Sequence, residues 1–192
     1  MHLKMKKILC GNEMDRMPGW AFKMMAFLFN ITDLLKSPEG KLDALDIRKG
    51  QTVVDWGCGT GRYLKQAAGS VGENGIVYAV DIHPLALEAA TGVARKYNLR
   101  NVHPVITDGK SVAIASRSAD IVYALDMFHM VREPNSFLKE LCRITKPDGV
   151  LYLEDGHQPR AVAKEKINHS GCWEIISETR AYMKCTPKNQ SI

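Results

Sequence analysis

Short runs of apolar and β-branched residues alternate with segments of helical periodicity along most of the chain. Five runs bounded by glycine, proline or polar residues are predicted to be buried strands: residues 52–56, 76–80, 102–106, 120–125 and 150–153. Helices are predicted in the segments that follow them, at residues 61–68, 84–97, 134–144 and 159–168. Because strands that alternate with helices form βαβ units, the pattern predicts a mainly parallel sheet with helices on both faces.

The two ends of the chain depart from this alternation. Two strand-like stretches at residues 172–177 and 181–186 are close enough in sequence to form an antiparallel hairpin. Residues 15–35 are rich in Met and Phe at helical spacing. We therefore predict a doubly wound, mainly parallel α/β sheet of seven strands with a terminal antiparallel hairpin in residues 41–192. Residues 1–40 are predicted to form an N-terminal tail and helical cap.

Composition narrows the class of protein. Apolar residue types make up 45% of the 192 residues and charged types 24%, which is typical of a globular chain and excludes disorder throughout. A net charge of +5 permits a nucleic-acid partner but does not argue for one. The five cysteines are widely spaced and lack a C-x-x-C pair, so no metal site is expected, and reduced thiols favour a cytoplasmic location. The longest apolar run, at residues 24–29, is too short to span a bilayer, and no membrane partner is expected.

The most informative segment follows the first predicted strand and reads D-W-G-C-G-T-G over residues 55–61. Glycines at a strand-to-helix turn permit positive φ, and exposed N–H groups there form an anion site. The spacing differs from the dinucleotide pattern G-x-G-x-x-G, and Asp55 would repel a pyrophosphate but suit an ammonium or sulfonium group. Asp81 ends the second predicted strand, where a carboxylate can accept hydrogen bonds from both hydroxyls of a ribose.

In combination these residues resemble the class I S-adenosylmethionine-dependent methyltransferases. The matching pieces are residues 53–63, Asp81, the T-D-G run at 107–109, residues 119–130 and the turn at 144–149. The resemblance extends from about residue 49 to residue 153. One departure is Asp148, which stands where a glycine is commoner in the family, in a turn away from the cofactor. The resemblance implies an enzyme that transfers a methyl group from S-adenosylmethionine by in-line displacement and releases S-adenosylhomocysteine.

For the methionine end of the cofactor, the resemblance implies roles for five residues of the glycine-rich segment. Gly57, Cys58 and Gly59 would line the methionine portion with backbone atoms. Gly61 would be a further cofactor-binding residue in the same glycine-rich segment. Asp55 would help to hold the amino group. Cys58 is interpreted as a small apolar filler and not as a nucleophile.

The resemblance implies five more contacts, four of them at the nucleoside end. Asp81 would bind the ribose hydroxyls, and Ile82 would lie against the adenine face. Asp108 would accept a hydrogen bond from the adenine amino group, although capping a short helix is the alternative for this residue. Gly109 would supply a backbone contact, and Leu125 would sit near the methionine end.

A general base is needed only if the methyl acceptor must first lose a proton. The candidates after the fourth and fifth predicted strands are Asp126, His129 and His157, with Glu154 and Asp155 in the same region. The Asn-Pro-Pro-aromatic motif of amino-group methyltransferases is missing after the fourth strand, which disfavours nucleobase amines as acceptors.

The acceptor is predicted to be a small molecule, because the sequence contains no recognisable nucleic-acid or peptide-binding segment. Two alternatives stay open: methylation of RNA or protein, and a non-catalytic protein that binds S-adenosylmethionine or S-adenosylhomocysteine. The acceptor pocket is expected between residues 20–35 and the loops after the fourth and fifth strands. Within residues 14–25, Trp20 and the methionines are interpreted as a packed cap.

Overall fold

The computed structural model describes residues 16–35 and 40–188. The helices are α1 (Gly19–Leu35), α2 (Leu64–Val71), α3 (Pro84–Lys96), α4 (Pro134–Ile144) and α5 (Arg160–Ser170), with short 3-10 turns at Asp43–Leu45 and Phe128–Met130. The strands are β1 (Thr52–Trp56), β2 (Ile76–Asp81), β3 (Val102–Ile106), β4 (Ala119–Ala124), β5 (Thr145–Leu153), β6 (Trp173–Glu178) and β7 (Met183–Pro187).

The seven strands form one sheet in the order β3-β2-β1-β4-β5-β7-β6. The first five strands are parallel, and β7 runs antiparallel to both β5 and β6. The predicted fold class is therefore confirmed, including the terminal hairpin. The chain order reverses between β1 and β4, and in doubly wound sheets the crevice outside the carboxyl ends of the strands at this point is the usual ligand site.

Helices cover both faces of the sheet because its central strands are apolar on both sides. Val54 and Trp56 of β1 point into the core that contains α4 and α5, whereas Val53 points into the core that contains α2 and α3. Strands buried on both faces are expected in parallel sheets. The indole of Trp173 donates a hydrogen bond to the carbonyl of Leu138 at 2.9 Å, which joins the terminal hairpin to α4.

Local sequence explains where α3 begins. His83 is its N-cap, and the Nδ1 atom of this residue accepts a hydrogen bond from the N–H of Leu85 at 3.1 Å. Pro84 follows as the first helical residue, a position where the missing N–H costs nothing. The helix consequently starts directly after the predicted ribose-binding position at the end of β2.

Two predicted boundaries are corrected by the structure. Residues 61–63 form turns, so α2 begins at Leu64 and not at Gly61. The predicted turn at residues 146–149 lies within β5 as an irregularity, because Thr145 pairs with Ala119 while Val150 pairs with Ile121. Both corrections arise where strand pairing or loop geometry overrides the local pattern.

No helix within residues 16–35 and 40–188 is long and apolar enough to cross a membrane. The same described residues hold no group of three or more His, Cys, Asp or Glu side chains arranged to bind a metal ion.

Candidate active site

A cavity of about 240 Å³ opens at the carboxyl ends of the parallel strands, beside the point where the strand order reverses. Eight of the ten predicted cofactor-binding residues line it: Gly57, Cys58, Gly59, Asp81, Ile82, Asp108, Gly109 and Leu125. The other two, Asp55 and Gly61, lie outside its lining. The tertiary structure thus brings together residues from the ends of four strands.

The N–H groups of the glycine-rich loop are already used within the protein. Those of Gly57 and Cys58 donate to the carbonyl of Val80 at 2.8 and 3.0 Å, and that of Gly61 donates to the carbonyl of Cys58 at 2.9 Å. The N–H of Gly59 donates to Oδ2 of Asp81 at 2.9 Å. The expectation that exposed N–H groups form an anion site is therefore wrong for these four residues. This arrangement disfavours a pyrophosphate ligand.

The three glycines of the loop have left-handed φ values but different surroundings. A Cβ on Gly57 would lie 2.9 Å from Cγ of Met127, so this glycine permits close packing against the loop after β4. A Cβ on Gly61 would lie 3.0 Å from Leu64 and 3.3 Å from Val93, so this glycine permits packing of the loop against α2 and α3. A Cβ on Gly59, where φ is +52°, would meet no atom closer than 3.9 Å. Gly59 is the glycine that leaves space for a ligand.

We expect Gly59→Ala to impair ligand binding more than folding. Its left-handed φ should cost about 1–2 kcal/mol of unfolding free energy, and its new methyl group should reduce affinity for S-adenosylmethionine by about tenfold or more. Gly50→Ala is the matched control, because Gly50 has φ of +83° with no atom within 4 Å of an added Cβ and lies outside the cavity. Urea unfolding and titration calorimetry measure the two effects. Equal affinity in the two variants would contradict the role given to Gly59.

The carboxylate of Asp81 organises the two loops on either side of it. Oδ2 accepts from the N–H of Gly59 at 2.9 Å, and Oδ1 accepts from the N–H of His83 at 2.8 Å. Burial raises the pKa of Asp81, while these backbone hydrogen bonds oppose the rise. A carboxylate offers about four acceptor positions, so further capacity is available to a ligand in the cavity.

Asp55 lies beneath the glycine-rich loop and is 2% exposed. Neither its Oδ2 atom nor the hydroxyl of Tyr123 has a hydrogen-bond partner among the described residues, although both atoms are buried. Burial raises the pKa of Asp55 to about 7; the nearby hydroxyl of Tyr123 opposes this rise, and the charge of Asp81 adds to it. A buried carboxylate with unused acceptor capacity is complementary to a cation that approaches from the loop side.

Asp108 stabilises its own turn. Its Oδ1 atom accepts from the N–H groups of Lys110 at 2.8 Å and Ser111 at 2.7 Å, and these bonds lower the pKa of the exposed carboxyl group. Gly109, with φ of +86°, occupies the same turn. The turn holds Asp108 at the cavity wall, and its contact with adenine stays a prediction.

Among the candidate general bases, Asp126 alone lines the cavity. This residue has a left-handed φ of +55°, and its Oδ1 atom lies 3.8 Å from Nε2 of His157. The rings of His157 and His129 meet edge to face with centroids 4.8 Å apart. Glu154 and Asp155 form ion pairs with Lys41 and Arg160, which fits a structural role. Asp126, His157 and His129 thus form one cluster that meets the cavity at Asp126.

As expected for the acceptor pocket, α1 and the loop after β4 line the cavity, whereas no residue of 154–159, after β5, does so. The sequence analysis did not single out most of the individual residues of the apolar wall. This wall combines α1, the end of β1, the segment after β4 and the start of α4, and consists of Met17, Phe22, Met25, Phe29, Trp56, Met127, Met130, Val131 and Phe137. The helical spacing of Phe22, Met25 and Phe29 was the available signal, since it places them on one face of α1. Phe22 also stacks on His83 with ring centroids 4.8 Å apart, which fixes α1 beside the cavity. Met17 and Met25 of the predicted packed cap thus line the cavity, whereas Trp20 and Met24 are exposed, so the prediction of a packed cap is wrong for these two residues; Met14 lies outside the described residues.

Residues 47–190 match the family described as the methyltransferase domain. The chain belongs to this family. The resemblance proposed from the glycine-rich segment and Asp81 is therefore confirmed at the level of the family. The division at residue 40 stays a prediction, although the match lies wholly within the predicted domain of residues 41–192.

A crystal structure of a SAM-dependent methyltransferase from Aquifex aeolicus has the same fold as this methyltransferase domain. It aligns with a TM-score of 0.72 and 24% identity, covering 85% of this chain and 95% of that chain. The aligned fold agrees with the strand order described above and is evidence for the architecture alone.

Two curated relatives are methyltransferases of small molecules by name. Aklanonic acid methyltransferase DauC from Streptomyces sp. strain C5 is 38% identical over 73 residues, which cover 38% of this chain and 33% of that protein. Arsenite methyltransferase from Aquipseudomonas alcaligenes is 32% identical over 123 residues, which cover 60% of this chain and 36% of that protein. The chain therefore aligns with only about a third of the length of these two relatives.

Proposed function

We propose that this methyltransferase domain transfers a methyl group from S-adenosylmethionine to a small-molecule acceptor. The observation that carries the proposal is a buried carboxyl group, Asp55, and a half-buried one, Asp81, beside a glycine loop in which four N–H groups are already occupied. Such a site repels phosphate and attracts a cation. The space beside Gly59 allows that cation to approach the loop.

The residues at the cavity fit the separate parts of S-adenosylmethionine. Asp81 has remaining acceptor capacity for ribose hydroxyls, and Asp55 lies beneath the loop that the methionine portion would contact. Ile82 and Gly109 offer an apolar and backbone surface for adenine. Aromatic rings such as that of Trp56 stabilise cations through their faces, which suits a sulfonium group.

When bound, S-adenosylmethionine supplies a methyl group that its positively charged sulfur has already activated. The protein then has to align the acceptor and exclude water, and positioning of this kind contributes about 7–11 kcal/mol to catalysis. Phe22, Met130 and Phe137 exclude water from the cavity wall. Asp126 is the cavity-lining carboxylate that can take a proton from an acceptor, and Nε2 of His157 lies 3.8 Å from its Oδ1.

Two features support a small acceptor. The cavity volume of about 240 Å³ is modest and its wall is largely apolar. The relatives named above act, by name, on aklanonic acid and on arsenite.

Of the described residues that line the cavity, Cys58 is the only cysteine, and burial raises the pKa of its thiol well above the usual range. This disfavours thiolate chemistry at arsenite. We therefore favour an organic acceptor. The free thiols of Cys142, Cys172 and Cys185 support a cytoplasmic location.

Transfer from isotopically labelled S-adenosylmethionine to a cell extract that retains its metabolites tests the proposal, with products separated by molecular mass and, in the low-mass fraction, from unreacted cofactor by chromatography. We expect label in the low-mass fraction with the wild type and with Gly50→Ala, and markedly less with Gly59→Ala. Label confined to RNA or protein would replace the small-molecule acceptor with a macromolecular one. Calorimetric binding of the cofactor without transfer to any fraction would identify a non-catalytic binding protein.

A further inference from the structure

Helix α1 is apolar on two opposite faces. Its inner face lines the cavity with Phe22, Met25 and Phe29. Its outer face exposes four large apolar side chains: Trp20 at 57%, Met24 at 47%, Phe27 at 64% and Leu28 at 52%. These four residues, which we call the outer stripe, lie at helical spacing and form one continuous face. A contiguous exposed apolar patch of this kind marks an interaction surface.

Basic residues outnumber acidic ones in the sequence around helix α1, since residues 1–41 contain seven Lys or Arg and four Asp or Glu. Lys23 is exposed on the flank of the stripe, whereas Arg16, just before the helix, is exposed but lines the cavity on the inner side. Along the sequence, Lys4, Lys6 and Lys7 precede the helix and Lys36 follows it. Aromatic and aliphatic residues on one face of a helix, with Lys and Arg at its edges, favour binding in the plane of an anionic lipid surface.

We propose that the outer stripe of α1 docks this protein onto the surface of an anionic phospholipid bilayer. The apolar side chains enter the boundary between headgroups and acyl chains, while Lys23 contacts the phosphates. The helix lies on the membrane and does not cross it, which agrees with the finding that no helix of the described residues is long and apolar enough to span a bilayer. This inference departs from the sequence-based expectation of no membrane partner, and it goes beyond the proposed function.

Charge complementarity selects the bilayer over a second copy of the chain. A two-fold contact through the outer stripe would place the same cationic edges of two molecules near one another, because each copy presents the same surface. An anionic bilayer neutralises these charges instead. The positive charge therefore weakens a contact between two copies of the chain, whereas it strengthens a contact with anionic lipid.

Tryptophan fluorescence offers a direct test, because Trp20 is exposed while Trp56 and Trp173 are 2% and 0% exposed. The full chain is titrated with vesicles of phosphatidylcholine alone and with vesicles of equal parts phosphatidylcholine and phosphatidylglycerol. We expect a blue shift of the emission and co-sedimentation with the anionic vesicles, both weakening as salt is added. No cofactor or acceptor is needed, so the outcome is independent of methyl transfer.

Substitutions test whether vesicle binding depends on the outer stripe or on exposed apolar residues in general. The triple variant Met24→Gln, Phe27→Gln, Leu28→Gln retains Trp20 as the probe and should bind anionic vesicles at least about tenfold more weakly. The matched control Tyr97→Gln, Val162→Gln, Ile176→Gln removes three apolar residues exposed elsewhere and should bind like the wild type. Lys23→Glu should weaken vesicle binding by about tenfold, because it reverses one charge at the lipid surface. Circular dichroism checks that each variant is folded.

Three results would overturn the proposal. The first is an unchanged emission of Trp20 in the presence of anionic vesicles. The second is a Trp20 already protected from acrylamide before vesicles are added, since another part of the chain or a second copy would then cover the stripe. The third is a dimer in sedimentation analysis that the triple variant abolishes and Lys23→Glu strengthens, which would assign the surface to self-association.

Discussion

Asp81→Ala is expected to weaken the binding of S-adenosylmethionine by about a hundredfold or more. A hydrogen bond to a charged group contributes about 1.5–3 kcal/mol, and the ribose is expected to lose two of them. The variant also leaves the N–H groups of Gly59 and His83 without their acceptor, so the loops on both sides lose their alignment. Titration calorimetry measures the affinity, and thermal unfolding with and without ligand measures the coupling to stability.

Asp120→Ala is the matched control for this prediction. The carboxylate of Asp120, near the start of β4, also accepts a backbone hydrogen bond, from the N–H of Thr52 at 2.8 Å. Thr52 begins β1, so this hydrogen bond lies at the end of the strands opposite the cavity. We expect that variant to lose stability and to retain affinity for the cofactor. If Asp81→Ala bound S-adenosylmethionine as tightly as Asp120→Ala, the assignment of the cavity to this cofactor would fail.

Asp55→Asn is expected to stabilise the ligand-free protein at neutral and alkaline pH. Burial raises the pKa of this carboxyl group in the folded state to about 7, compared with about 3.9 in the unfolded chain. Between these values the folded state holds a proton that the unfolded state has lost, so the free energy of unfolding falls as pH rises. Above the folded pKa the penalty is complete, because the carboxylate is then charged and buried.

Asp55→Asn should raise the free energy of unfolding above that of the wild type by about 2–3 kcal/mol more at about pH 8 than at about pH 5. Urea unfolding at both pH values measures it. Asp148→Asn makes the same chemical change at an exposed position and serves as the control. A gain that is the same at both pH values would show that Asp55 is not a protonated, buried carboxyl group.

The same residue links stability to binding. A cationic ligand near Asp55 favours the carboxylate over the protonated acid, so the affinity of the wild type for S-adenosylmethionine should rise as pH increases through about 7. Asp55→Asn should lose this rise because it cannot ionise. Stability in the empty protein is thus reduced to provide a charge for the ligand, a compromise typical of binding sites.

The sequence alone determined the elements and the position of the site. Strands and helices followed from apolar periodicity, because a parallel sheet covered on both faces needs continuous apolar strands. The glycine run after β1 and Asp81 at the end of β2 located the cavity, since the carboxyl ends of parallel strands share one edge. These features are local, so a single segment is enough to recognise each of them.

Only the tertiary structure decided how the site is lined and charged. The apolar wall joins Phe22, Met127 and Phe137 from segments far apart in sequence, and no local pattern specifies that meeting. The protonation of Asp55 depends on how completely neighbouring strands exclude water, and the use of the loop N–H groups depends on the carbonyl of Val80 in the adjacent strand. The exposure of Trp20 on the outer side of α1 likewise depends on which face of the helix the domain covers. Each is a property of contacts between segments, which the order of residues along one segment does not fix.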